Sequence, residues 1–201
     1  MATRPVFQFK ITLQEIEPKI WRRIQISDLC SFWDLHVAIQ DAMGWTDSHL
    51  HLFTVNHSIE IGQQHMGIPD DDGFDEDKTL PGWDYRVRDY LVINDRMLYE
   101  YDFGDGWQHL VEYEGTHEKK PDVKYPICLA GERACPPEDV GGIPGYERFI
   151  KAISTPRHPD RKELLAWVGG KYEPNKFHPQ KVKFDNPTKR WKNAFETNVN
   201  Y

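Results

Sequence analysis

The alternation that runs from Met97 to Glu114 constrains the fold more than any other stretch of the chain. Met97, Tyr99, Tyr101 and Phe103 fall on one face of an extended segment, with Leu98, Glu100 and Asp102 on the other. Gly104-Asp105-Gly106 then reverses the chain, and Trp107, His109, Val111 and Tyr113 alternate with Gln108, Leu110, Glu112 and Glu114. Period 2 on both sides of a glycine-flanked turn predicts a β-hairpin, here with one aromatic face. Pairing outward from the turn sets Phe103 opposite Trp107 and Tyr101 opposite His109, unless a bulge at the glycines changes the parity.

The chain begins with two further strands. Phe7, Phe9, Ile11 and Leu13 alternate with Gln8, Lys10 and Thr12, and Ile20 to Ile26 follows a turn near residues 15–18. Ser31 and Asp34 form a capping box ahead of Phe32, Leu35, Ile39, Ala42 and Met43, which share one helical face, and Gly44 supplies a left-handed stop. A helix with that stripe must lie across the first hairpin to bury it. His49 to Val55 reads as a third strand, with His49, His51, Phe53 and Val55 on one side and Leu50 and Leu52 on the other; apolar groups on both faces place it inside the sheet. Residues 56–86 carry the acidic run Asp70, Asp71, Asp72, Asp75, Glu76 and Asp77 and read as a long excursion. Proline and glycine dominate residues 119–145. Beyond them Tyr146, Phe149, Ile150 and Ile153 lie on one helical face, Pro159 opens a second helix with Leu164, Leu165 and Val168, and Asn186-Pro187 caps a third with Trp191, Ala194 and Phe195.

These elements predict an α+β fold: a mainly antiparallel twisted sheet with a β-grasp-like strand-strand-helix start and C-terminal helices packed around it. A single domain over residues 1–201 is expected, sheet-rich over 5–115, with a loop and helical part over 116–197. A chain of 201 residues buries roughly 70% of its unfolded surface, so no disulfide or metal staple is required. Cys30, Cys128 and Cys135 are an odd number without Cys-x-x-Cys spacing and fit reduced thiols, although Cys128 and Cys135 could pair if their loop folds back. The N-terminus shows no apolar stretch long enough for a signal segment or membrane span, which reads as a cytoplasmic chain with no membrane contact. The net charge of -7 argues against phosphate neutralisation as the main business of the chain, while Lys171, Lys176, Lys181, Lys183, Lys189, Arg190 and Lys192 make the tail basic.

Four strings carry a family likeness: Glu17-Pro18-Lys19-Ile20-Trp21-Arg22-Arg23; Gly44-Trp45 with His49-Leu50-His51-Leu52-Phe53; YEYDFGDGWQH at 99–109; and ACPPEDVGGIPGYERF at 134–149. Together they resemble the plasmid pRiA4b ORF-3-like family over nearly the whole chain. The resemblance implies a protein of bacteria and archaea, met near plasmids and transposons, whose biochemical activity is unassigned.

The residues of two of those strings are also the ones with chemistry to offer. Asp102, Asp105, Trp107 and His109 on the hairpin, with Cys135, Glu138, Asp139 and Gly142 from the proline-rich loop, make a candidate pocket if the two segments meet. Carboxylates and imidazoles converging from separate segments are what a divalent metal requires, and His49, His51, Asp105 and His109 are the candidate ligands. Hairpin parity opposes this by pointing Asp102 away from the face of His109. The plainer reading makes His109 a core histidine, Asp105 a turn residue that caps its own loop and Cys135 a small buried hydrophobe. Val140-Gly141-Gly142 lacks the Lys-Ser/Thr of a phosphate loop, and no nucleophile elbow or His-Glu-x-x-His is present. The leading expectation is a non-catalytic binding or interaction module of plasmids or mobile elements, taking a protein partner or small ligand. The alternatives are a metal-dependent hydrolase with a carboxylate/His site and a nucleic-acid-binding protein.

Overall fold

The computed structural model describes residues 4–58, 62–69, 78–91 and 95–196. Eight strands, β1 (Pro5–Leu13), β2 (Ile20–Ser27), β3 (His51–Ser58), β4 (Gly62–Gly67), β5 (Thr79–Pro81), β6 (Arg96–Tyr101), β7 (Trp107–Glu118) and β8 (Ile127–Glu132), form one sheet in the order β5-β4-β3-β6-β7-β1-β2-β8. Every neighbouring pair is antiparallel except β4 with β5. The helices are α1 (Phe32–Met43), α2 (Gly142–Ser154), α3 (Arg161–Trp167) and α4 (Pro187–Phe195). None of these is long and apolar enough to cross a membrane.

Alternation dictates which face is covered. Phe9, Ile11, Leu13, Ile20, Ile24, Phe53, Tyr99 and Val111 are all inaccessible to solvent and point to one side, where α1 closes over them with Phe32, Leu35 and Ile39. Each such side chain contributes roughly 1.5–3 kcal/mol by leaving water. The opposite face carries the alternating polar residues, tied by Arg23 to Glu114 at 2.6 Å and by Lys10 to Glu112 at 4.0 Å. The capping box is formed in full: Asp34 N donates to Ser31 Oγ at 3.1 Å, and Ser31 N donates to Asp34 Oδ2 at 2.8 Å. Gly44 ends α1 at φ 95°.

The hairpin forms, but its register differs from simple counting. Tyr101 pairs with Trp107, Tyr99 with His109 and Met97 with Val111. The cause is Asp102, which leaves the strand at φ 55° and accepts through Oδ1 from Gly104 N at 3.0 Å and Asp105 N at 3.2 Å. The side chain thus closes a five-residue connection. A slip of two keeps every side chain on its own face, so the aromatic surface survives and Phe103 is left on the turn, 52% exposed.

Four further expectations change. The excursion over 56–86 contains β4 and β5, and the proline- and glycine-rich stretch contains β8, an edge strand on β2. β3 lies inside the sheet as expected, between β4 and β6, but starts at His51 rather than His49, and Leu50 just before it is 53% exposed. α3 starts at Arg161 rather than at Pro159, and Val168 falls just past its end. Cys30, Cys128 and Cys135 are all free thiols. The acidic run at 70–77 lies outside the described residues.

Candidate functional site

Asp102 and Asp105 sit on the hairpin turn because β6 stops at Tyr101, and the loop before α2 folds down onto them. Gly141 N donates to Asp105 Oδ2 at 3.1 Å. A Cβ on Gly142 would stand 2.6 Å from the Asp105 carbonyl oxygen, and Gly142 has φ +64°, so only glycine permits this approach. The two segments that sequence reasoning set side by side therefore touch.

Glu138 fixes the loop from the other side. Its carboxylate accepts from Thr46 N at 3.0 Å, from Ser48 Oγ at 3.2 Å and from the Tyr101 hydroxyl. Trp45 adds an Nε1–H donated to the Pro136 carbonyl at 3.0 Å and stacks on Tyr101 with ring centroids 5.0 Å apart. Burial, then the bond to Glu138, drives the Tyr101 hydroxyl well above its ordinary pKa, so it stays a donor. With three bonds accepted, the Glu138 carboxylate positions the loop.

What remains open is a rim of three groups. His49 Nε2 lies 2.8 Å from Asp139 Oδ1 and 3.6 Å from Asp102 Oδ2. The Asp139 side chain is 67% exposed and that of Asp102 10%, so one carboxylate reaches outward while the other is sunk in the turn. One ligand atom from each of His49, Asp102 and Asp139 lies within 4.8 Å of the others, a spacing a divalent ion can span after small adjustments.

The other sequence candidates are beneath this surface. Trp107 and His109 are buried. His109 Nδ1 donates to the Tyr99 carbonyl at 3.3 Å, its Nε2 has no hydrogen-bond partner, and burial holds its pKa to about 3. Cys135 is buried, with its thiol pushed up to about 12 by desolvation; the nearby Arg22 guanidinium opposes the shift without overcoming it. His51 turns away from His49 into the core, where its ring stacks on His36 at 3.5 Å and 11°.

A second group, His36, Asp47 and His51, also brings its ligand atoms within 4.8 Å. Gln40 Nε2 donates to the Tyr99 hydroxyl at 2.9 Å, which leaves the Tyr99 proton for His36 Nδ1 at 2.9 Å and the His36 Nε2–H for Asp47 Oδ1 at 2.7 Å. Ring-nitrogen lone pairs lie in the ring plane, so two parallel stacked imidazoles aim theirs side by side and not at one ion. Gln40, Tyr99, His36 and Asp47 form a proton-ordered network, and His51 joins it only by stacking on His36. Neither His36 nor Asp47 stood out in the sequence, because a histidine on a buried helical face has no local signature.

The basic tail is partly self-neutralised. Lys171 and Lys176 reach Glu173 at 3.0 and 2.7 Å, and Arg190 binds Asp41 and Asp185, each at 2.6 Å.

Comparison with known proteins places these residues in a wider set. The family described as plasmid pRiA4b ORF-3-like protein matches residues 5–181. The uncharacterized protein y4hQ of Sinorhizobium fredii is 36% identical over 168 residues, covering 82% of this chain and 81% of the relative. The crystal structure of MM3350 from Methanosarcina mazei Go1, described as a protein of unknown function, is 36% identical and superposes with a TM-score of 0.81, covering 91% of this chain and 100% of that one.

Proposed function

The chain belongs to the plasmid pRiA4b ORF-3-like protein family, and from that premise we propose that it is a non-catalytic binding module whose rim of His49, Asp102 and Asp139 takes a cationic group of a protein partner. The observation that carries this reading is the meeting of two sequence-distant segments at an open surface, where the Asp139 carboxylate faces solvent beside the recessed Asp102. Such a surface attracts positive charge, and the attraction is strongest where one carboxylate is already held in a partly desolvated turn. The buried groups support a binding rather than a catalytic role. Cys135, with its thiol at about 12 and 9% exposure, offers no thiolate, and His109 is too deep to act as a base. A setting on plasmids or other mobile elements is part of the proposal and draws on the family's description.

Titration with tetra-arginine amide at low salt tests it. Binding should weaken as salt rises past about 0.1 M, where the screening length is about 10 Å, and should be lost in Asp139→Asn. Equal affinity of wild type and Asp139→Asn sinks the reading. A second reading, a metal-dependent hydrolase, is favoured by the ligand-atom spacing at the same rim. Stoichiometric zinc or manganese bound by the wild type and lost in His49→Ala would favour that reading instead.

A further inference from the structure

Beside the rim, α2 and α3 diverge around a groove of about 730 Å³. Asp139 belongs to both, so the groove opens onto the rim at that residue. Its far wall carries Trp167, 48% exposed, and Leu164, with Phe149 set edge-on to Trp167 at 6.1 Å and 78°. Among the described residues Trp167 is one of five large hydrophobic side chains left exposed, and tryptophan is enriched among the anchors of binding surfaces. α3 itself buries no residue fully. It is anchored by Arg161 Nε, which donates to the Ile153 carbonyl at 2.9 Å, and so presents Trp167 on a supported wall.

We propose that this groove receives an extended segment of a protein partner, which lays an apolar side chain against Trp167 and sets a lysine or arginine at Asp139 and Asp102. The proposal rests on the rim being a binding surface and adds the partner's chemistry to it. Charge selects the occupant. Asp139, Asp160 and Glu163 line the groove and Asp102 stands on the adjoining rim, four carboxylates against the two fixed cations Arg148 and Lys151, with His158 3.8 Å from Asp160. Apolar side chains beside an excess of carboxylates suit a basic, apolar-anchored peptide: the apolar contact supplies affinity, and the carboxylates select a cationic side chain.

The test uses three acetylated, amidated peptides in which one leucine and one lysine are separated by one, two or three glycines. They are titrated into the full chain while backbone amide resonances are followed by NMR. At least one peptide should shift the resonances of residues 139–140 and 164–167. Its affinity should fall about tenfold or more in Trp167→Ala, in Asp139→Asn and when the peptide leucine is replaced by glycine. The peptide-side change controls for any disturbance of α3 by Trp167→Ala, because it leaves the protein intact. Loss with Asp139→Asn but not with Trp167→Ala or the leucine change would overturn the groove and leave the rim standing. No shift at millimolar peptide, or binding indifferent to all three changes, would overturn both.

Discussion

Replacing Arg22 by leucine would strip a donor from three main-chain carbonyls at once. The side chain is buried on β2, donating from Nε to Ala42 at 2.8 Å and from Nη1 to Trp21 at 2.8 Å and Glu132 at 2.9 Å, with its guanidinium 3.7 Å from the centre of the Phe177 ring. It ties the end of α1 to β2 and β8. A buried carbonyl left without a partner costs about 1–3 kcal/mol, so Arg22→Leu should lose about 3 kcal/mol. For a chain of this length that is a melting temperature lower by roughly 6–12 °C, measurable by calorimetry. A change under 2 °C would show that the bonds are replaced by water. Gly142 makes the opposite kind of demand, for the absence of atoms. Ala at 142 would meet the Asp105 carbonyl at 2.6 Å and hold a left-handed backbone. Overpacking and conformation together should cost about 2–4 kcal/mol.

At the scale of elements, the hairpin register makes a prediction that separates the observed pairing from simple counting. Phe103, 52% exposed on the turn, should tolerate Phe103→Ser within about 0.5 kcal/mol, whereas Trp107→Ala should cost about 3–5 kcal/mol. Comparable costs in urea denaturation would mean that Phe103 packs opposite Trp107 after all. The elements that the sequence made legible share one property: their signal is local. The aromatic alternation on β6 and β7, the Ser31/Asp34 capping box and the Asn186 cap, which accepts from Lys189 N at 2.9 Å, each lie within a few residues of what they specify. β4, Gln-rich with Met66 as its buried anchor, and the edge strand β8 have no such pattern, because their neighbours in the sheet supply the pairing. The site divides the same way. The chemistry of the hairpin tip and the Cys-Pro-Pro-Glu-Asp loop posed their meeting only as a condition, and the contact of Gly141 with Asp105 meets it. Which of their residues face out was not, since Asp102 reaches His49 only because a left-handed backbone ends the strand.

For the whole molecule, the buried ionisable groups fix the pH range in which the fold is strongest. His51 and His109 are enclosed: burial, then the neighbouring His36, holds the His51 pKa well below its usual value, and burial holds that of His109 to about 3. In the unfolded chain both would titrate near 6.5. Below that pH the unfolded state takes up two protons that the folded state refuses, so stability is complete above about 6.5 and falls as pH drops toward 3. Each histidine removes about 1.4 kcal/mol per pH unit, about 2.7 kcal/mol for the pair. The thiols set the other boundary with the opposite sign. Burial pushes Cys128 up to about 11 and Cys135 to about 12, so above an unfolded thiol pKa near 8.5 the unfolded chain loses protons that the folded chain keeps, and stability falls as pH rises. Guanidinium midpoints measured from pH 4 to pH 10 should therefore plateau between about 6.5 and 8.5 and decline on both sides. His51→Gln should roughly halve the acid slope while leaving the alkaline side unchanged. A midpoint that stays flat from pH 7 to pH 5 would mean that water reaches these imidazoles, and that the core drawn around the hairpin's aromatic face opens more readily than its packing implies.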